Sequence, residues 1–178
     1  ANNENILCFK EGAKILTLVD NDEVYVPVEL LRKGDLIRTA RSGYKPIVLI
    51  GNGKIYNPCN AERSKVRLYV CKPKVYPELT EELVLTGWHS ILVDSVTDIQ
   101  SSQIKELIKF VFGTEGKCRL PAFVDERAEP YMVEGTFTIY HIALEHTDIC
   151  ANYGVYANGL LVETTCIGSL IYGDLELL

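Results

Sequence analysis

Three stretches of the chain carry residue types that can make and break acyl bonds. Cys8 is followed by Phe9 and then by Gly12-Ala13-Lys14-Ile15, the opening of a strongly strand-forming run. A cysteine just ahead of a first strand can sit in the protein body while the preceding peptide enters from outside. The same residue also serves as a small buried hydrophobe. Thr86-Gly87-Trp88-His89 sets a hydroxyl and an imidazole three residues apart between strand-like runs. A turn at Gly87 would let both converge on one acyl group, although a lone histidine is more often an ordinary core or surface residue. The third stretch is Tyr140-His141-Ile142-Ala143-Leu144 together with residues 152–162, and with His146 this end holds two of the chain's three histidines.

The elements that must position these residues are mostly strands, because Val, Ile, Tyr, Thr and Leu come in short runs punctuated by Gly, Pro, Asn and Asp. The runs are 13–19, 24–30, 36–40, 44–50, 66–71, 83–86, 90–93, 119–124, 136–144 and 153–162. Their short, regular spacing predicts an all-β body rather than βαβ units. Asn158-Gly159 between apolar runs predicts a hairpin, since both residues accept the positive φ of a type I′ turn. One helix is predicted between Thr97 and Phe112, where Ile104, Leu107, Ile108 and Val111 recur at helical spacing. Thr97 with Gln100 forms its capping box and Gly113 its stop. Lying between two strand-rich halves, it reads as an amphipathic insertion packed on the β body. The acidic end, residues 173–178, reads as a frayed tail or a linker.

Composition narrows the function classes. The 178 residues amount to one domain, and 47% hydrophobic with 24% charged residues is a globular balance. The net charge is −6, with no basic stripe of the kind a nucleic-acid binder presents. No run approaches the ~18 apolar residues of a membrane span, and the opening residues lack a signal peptide's layout, so neither membrane nor nucleic acid is expected as a partner. The six cysteines, at 8, 59, 71, 118, 150 and 166, include no CxxC pair. They are therefore expected as free thiols in a reducing compartment, with Cys59, Cys71, Cys118 and Cys150 structural. The three histidines show no metal-ligand spacing, and no metal or organic cofactor is expected.

Taken in order, a leading cysteine, a mid-chain T-x-x-H and a late Val-Tyr-Ala-Asn-Gly-Leu-Leu-Val hairpin resemble the Hint module, the autoprocessing fold of Hedgehog proteins and inteins. The resemblance runs from Cys8 to about Val162. Cys8-Phe9 with Gly12 and Ile15 is similar to the family's opening C-F-x-x-G-T-x-I, with Ala13 in place of Thr. Leu31 with Gly34-Asp35 is similar to its L-x-x-G-D-x-V block, and Thr86 and His89 fall on T-x-x-H. It implies a mainly β, Hint-type horseshoe of antiparallel strands with one short inserted helix, at about 97–113. Residues 8–166 would form the Hint domain, 1–7 an upstream, extein-like peptide and 167–178 a C-terminal tail. The wording of residues 153–164 is similar to Hint modules of large DNA viruses, implying a viral protein and a host cytoplasm.

Two departures shape the expected activity. His141 occupies a slot where inteins usually have Asp, and Val162 is followed by Glu163-Thr164-Thr165-Cys166 instead of His-Asn and a nucleophile. Without that Asn no side-chain amide can cyclise, so full splicing is not expected. Like Hedgehog modules, the chain would cleave only upstream, but the 12 residues after Cys166 are too few for a sterol-recognition region.

The resemblance implies an N-to-S acyl shift that makes a thioester at Leu7-Cys8. A free thiol, with a pKa of roughly 8.5, needs a neighbouring base or cation. His141 is the expected neighbour, with His146 as its substitute. Thr86 and His89 would bind the scissile peptide, His89 acting as acid for the leaving amine. The substrate is the chain's own upstream segment. The thioester passes to water, an amine or a thiol, Cys166 being a secondary candidate. Two rival readings are an inactive Hint-like scaffold serving as an interaction module in a larger, viral structural protein, and a cysteine peptidase acting in trans through Cys8 and His89.

Overall fold

The strand-forming runs pair antiparallel along one continuous, open sheet in the computed structural model, which describes residues 7–178. Residues 1–6, most of the expected upstream peptide, lie outside the described residues. In chain order the strands are β1 (Phe9–Lys10), β2 (Lys14–Val19), β3 (Asp22–Pro27), β4 (Leu36–Arg38), β5 (Tyr44–Asn57), β6 (Leu68–Cys71), β7 (Leu83–Thr86), β8 (Ser90–Val93), β9 (Gly113–Thr114), β10 (Lys117–Pro121), β11 (Glu129–Pro130), β12 (Gly135–Leu144), β13 (Gly154–Ala157), β14 (Leu160–Glu163) and β15 (Glu176–Leu177). Helix α1 (Asp98–Ile108) separates β8 from β9, and α2 (Ile167–Ile171) follows β14.

The strands neighbour one another in the order β11-β6-β7-β1-β12-β5-β4-β2-β13-β14-β8-β10-β9, with β3 on β2 and β15 on β5. Strand β5 is the spine. Its first residues pair with β4, and the remainder runs beside β12 from Ile47↔Leu144 to Asn57↔Gly135. Both halves of the sheet feed one apolar core that includes Phe9, Ile15, Leu31, Ile37, Ile47, Tyr69, Leu85, Ile91, Ile142, Val155 and Val162. Each large side chain buried there contributes about 1.5–3 kcal/mol relative to exposure.

The elements differ from the sequence expectations where backbone chemistry overrides composition. The run 24–30 splits at Pro27, which has no N–H to continue the ladder, and Val28–Leu30 form a 3₁₀ turn. Strand β5 extends past 50 through Gly51 and Gly53, residues that read as breakers. A Cβ at Gly51 would stand 2.8 Å from Leu170 Cδ2, and one at Gly53 would stand 2.9 Å from Leu175 Cδ2. These glycines therefore admit the C-terminal segment. Residues 173–178 are accordingly not a frayed tail: β15 pairs with β5 and the Leu178 N–H donates to Ile50 C=O at 2.9 Å, while α2 ahead of them packs on β5 and β12.

Helix α1 has the expected capping box, Thr97 accepting from the Gln100 N–H and Gln100 from the Thr97 N–H. It stops earlier than Gly113, because Lys109 takes a left-handed φ of 67° and donates its N–H to Lys105 C=O. Of its apolar stripe only Ile104 is fully buried, while Leu107 and Ile108 stay exposed. Asn158 and Gly159 have φ of 49° and 99°, as a type I′ turn between β13 and β14 demands.

Candidate active site

Strand pairing places Cys8. Phe9 of β1 lies opposite Leu85 of β7 on one side and Tyr140 of β12 on the other. One further step in either register sets Cys8 against Thr86 and His141. The Cys8 amide N–H donates to Thr86 Oγ1 at 3.0 Å, and the Thr86 N–H donates to Cys8 C=O at 3.0 Å. Thr86 Oγ1 also donates to that carbonyl at 3.4 Å. Cys8 is fully buried in a cluster with Ile55, Leu68 and Ile139, against which Leu175 packs.

Burial pushes the Cys8 thiol well above its ordinary range, and no charged neighbour opposes the shift. Of the base or cation expected beside the sulfur, no cation is present there among the described residues, and the neighbour is the neutral His141. The thiol rests protonated, because an apolar surround disfavours the thiolate.

The Thr86–His89 segment turns back on itself, with the His89 N–H donating to Thr86 C=O at 3.0 Å. Gly87 is required by close approach: a Cβ there would lie 2.7 Å from Lys65 O. The turn buries His89 completely, and its Nε2 lies 2.7 Å from Glu163 C=O. A carbonyl oxygen only accepts, so Nε2 carries the hydrogen and Nδ1 of the neutral ring is a bare lone pair. Nδ1 has no hydrogen-bond partner. Desolvation pushes the His89 pKa down to about 4, against the opposing pull of the Cys8 and Glu163 backbone.

His141 stands beside it, with ring centroids 4.9 Å apart. The Phe9 ring contacts both, 4.4 Å from His89 and 5.4 Å from His141. Neither His141 nitrogen has a partner, and burial followed by repulsion from His89 holds its pKa well below the ordinary value. Two neutral imidazoles with bare nitrogens thus sit in the core next to a protonated thiol. Such orphaned polar atoms are costly, and they recur at functional sites.

Sequence reasoning missed the group that completes this end of the sheet. The Glu163 side chain is buried at the end of β14, accepting from the Ser90 N–H at 3.2 Å and from Asn152 Nδ2 at 3.3 Å. Arg119 of β10 pairs with it at 3.3 Å. Desolvation raises the Glu163 pKa, with Arg119, Ser90 and Asn152 acting the other way. Its one trace in the sequence is a carboxylate closing the apolar run Leu160-Leu161-Val162. Beside it opens a cleft of about 300 Å³, lined by Leu7, Trp88, Phe112, Arg119, Glu163 and Ser169 among others.

Cys8, Thr86, His89 and His141 therefore come together, and Leu7 is half-buried at the cleft beside them. His146 does not join them. It is exposed in the link between β12 and β13, where Nδ1 accepts from the Asp148 N–H at 2.8 Å and the ring leans on Tyr153. Cys166 is half-buried at the start of α2, its sulfur 3.1 Å from Ser169 Oγ. All six cysteines are free thiols, Cys71 buried and Cys59 and Cys150 exposed. Among the described residues no three His, Cys, Asp or Glu side chains cluster to hold a metal, and no helix is long and apolar enough to cross a membrane.

A family profile for the Hint domain matches residues 7–169. Two crystal structures of the gp41-1 intein, one of them a substituted form, are similar to the chain at 11% and 10% identity. Each similarity spans 87% of this chain and 96% or 97% of the intein, with TM-scores of 0.43 and 0.42. No curated protein matches the sequence.

Proposed function

Because this chain belongs to the Hint domain family, whose fold it shares and whose function is of the autoprocessing type, we propose that Cys8 converts the Leu7-Cys8 amide into a thioester and that the upstream segment leaves from it. The observation that carries this reading is the hold on the scissile amide: its N–H is fixed at 3.0 Å by Thr86 Oγ1, in a pocket with two buried imidazoles, of which His89 leaves Nδ1 and His141 both nitrogens without a partner.

In the proposed step Cys8 Sγ bonds to the Leu7 carbonyl carbon and the bond from that carbon to the Cys8 nitrogen breaks. The thiol proton leaves through an imidazole nitrogen and ends on the Cys8 amine. Depressed pKa values suit both imidazoles to this relay, because each rests neutral and able to accept. Transfer from a thiol raised above its ordinary value to a ring depressed below its own is uphill. From a depressed ring to an amine of ordinary pKa about 8 it is downhill. The proton is therefore delivered efficiently once the C–N bond weakens, and the thiolate never accumulates. His141 takes the thiol proton as base and passes it to the bare Nδ1 of His89, which is held by Glu163 C=O through Nε2 and delivers the proton to the Cys8 amine.

Cleavage without splicing follows from the residues after Val162. Thr164, fully buried, is pinned by its N–H to Tyr153 C=O at 2.7 Å and by the Tyr153 N–H to its Oγ1 at 3.1 Å. It brings no amide side chain to cyclise.

A folded reporter fused upstream of Ala1 tests the reading by intact mass. Dithiothreitol releases the segment ending at Leu7, and Cys8→Ala abolishes release. A fusion that stays intact both with and without thiol refutes it and favours an inactive scaffold.

A further inference from the structure

We infer that Glu163 is the base that activates the nucleophile resolving the thioester, and that the Leu7 cleft is where this nucleophile, water or a small primary amine, enters; the inference rests on the thioester reading above. Geometry confines the choice. Leu7 carries the acyl carbon, and the cleft it lines is bounded by Trp88, Phe112, Ile104 and Ile108 on the apolar side. Arg119 and Glu163 supply its charged wall, and the cleft has room for a small nucleophile but is open on one side. Of these two, only the carboxylate can accept a proton near neutral pH.

Glu163 is also built to stay in place. One oxygen accepts from the Ser90 N–H, the other accepts from Asn152 and forms an ion pair with Arg119, and its own carbonyl anchors His89. The groups facing it are Arg119 from β10, Ser90 from β8, His89 from the turn before β8, and Asn152 ahead of β13. His89 stays neutral across the neutral range and does not titrate together with the carboxylate. Burial raises that ionisation above the ordinary carboxylate range, which strengthens the base.

The step balances. The nucleophile's O or N bonds to the Leu7 carbonyl carbon, and the bond from that carbon to Cys8 Sγ breaks. The proton lost by the nucleophile passes to Glu163 and from there to the departing thiolate, restoring both side chains. A pre-ionised nucleophile such as the dithiothreitol thiolate has no proton to lose and bypasses Glu163.

The upstream fusion separates the two steps. Spontaneous release in buffer and release by dithiothreitol are followed by intact mass in wild type, Glu163→Gln and Glu163→Asp. The ratio of spontaneous to thiol-induced release falls by about a hundredfold in the Gln variant and partly recovers in the Asp variant. Added ethylamine gives the ethylamide of Leu7 in wild type, and its yield falls in parallel. In wild type alone, the ratio, corrected for the fraction of dithiothreitol present as thiolate at each pH, rises with pH through a single ionisation above that of an ordinary carboxylate, a readout that needs no variant to fold. An unchanged ratio in Glu163→Gln, or a wild-type ratio independent of pH, overturns the inference while leaving the thioester intact. Absence of release by thiol overturns the thioester reading itself.

Discussion

Acidification should weaken this protein through His89 by an amount the structure sets. The ring is fully buried and neutral, with its pKa pushed from 6.5 to about 4. The unfolded chain binds that proton more readily than the folded one. The stabilisation is therefore complete above pH 6.5 and disappears as pH falls to about 4. A gap of about 2.5 pKa units corresponds to about 3 kcal/mol. With a urea m-value of about 2 kcal/mol per molar, the unfolding midpoint should drop by roughly 1.5 M. His141 titrates with the same sign, and Glu163, whose pKa is raised, partly opposes both.

Comparison with His89→Gln isolates the residue, because Gln can still donate to Glu163 C=O and does not titrate. Removing His89 also relieves its repulsion of His141, which adds to the difference in the same direction. Urea unfolding at half-unit steps from about pH 7 to 4 should show the wild-type midpoint falling by roughly 1.5 M more than the variant's. Parallel curves would refute the assignment of His89 as a buried neutral ring, and with it the proton relay.

The neighbouring residues give sharper contrasts. His141→Leu removes two buried nitrogens that lack partners, and should raise stability by about 1–3 kcal/mol while slowing thiol-induced release at least about tenfold; denaturant unfolding and intact mass measure the two effects. Thr86→Val keeps the shape but leaves the Cys8 N–H buried without its 3.0 Å acceptor. The expected loss is about 1–3 kcal/mol, or about 2–4 °C in Tm per kcal/mol, together with slower release. Gly51→Val would drive a side chain into Leu170 and Leu175, 2.8 and 3.0 Å from the new Cβ, and detach α2 and β15 from β5. Limited proteolysis should then cut within 167–178 in the variant and spare the wild type.

Much of the fold was legible because strands announce themselves through local composition. Runs such as 83–86 and 90–93 coincide with β7 and β8, and Asn158-Gly159 marked the β13–β14 turn through its tolerance of positive φ. The failures came from tertiary contacts and from local backbone conformation. Gly51 and Gly53 read as strand breaks, although they are small because Leu170 and Leu175 lie against them. The end of α1 depended on Lys109 adopting a left-handed conformation that lysine rarely takes. At the site, Cys8, Thr86, His89 and His141 stood out as reactive residue types. Their juxtaposition depends on β1 lying between β7 and β12, a pairing between residues far apart in sequence. Glu163 gave no signal, since a carboxylate at a strand end normally faces water; its burial follows from Arg119, Ser90 and Asn152 arriving from other segments.

The most direct test of the central claim is capture of the acyl intermediate. The fusion is incubated with neutral hydroxylamine, digested, and the peptide ending at Leu7 is sequenced by tandem mass spectrometry. A thioester at Cys8 predicts a hydroxamate on the Leu7 carbonyl in wild type and none in Cys8→Ala. An intact Leu7-Cys8 amide in both proteins, under conditions where each is folded, would contradict it.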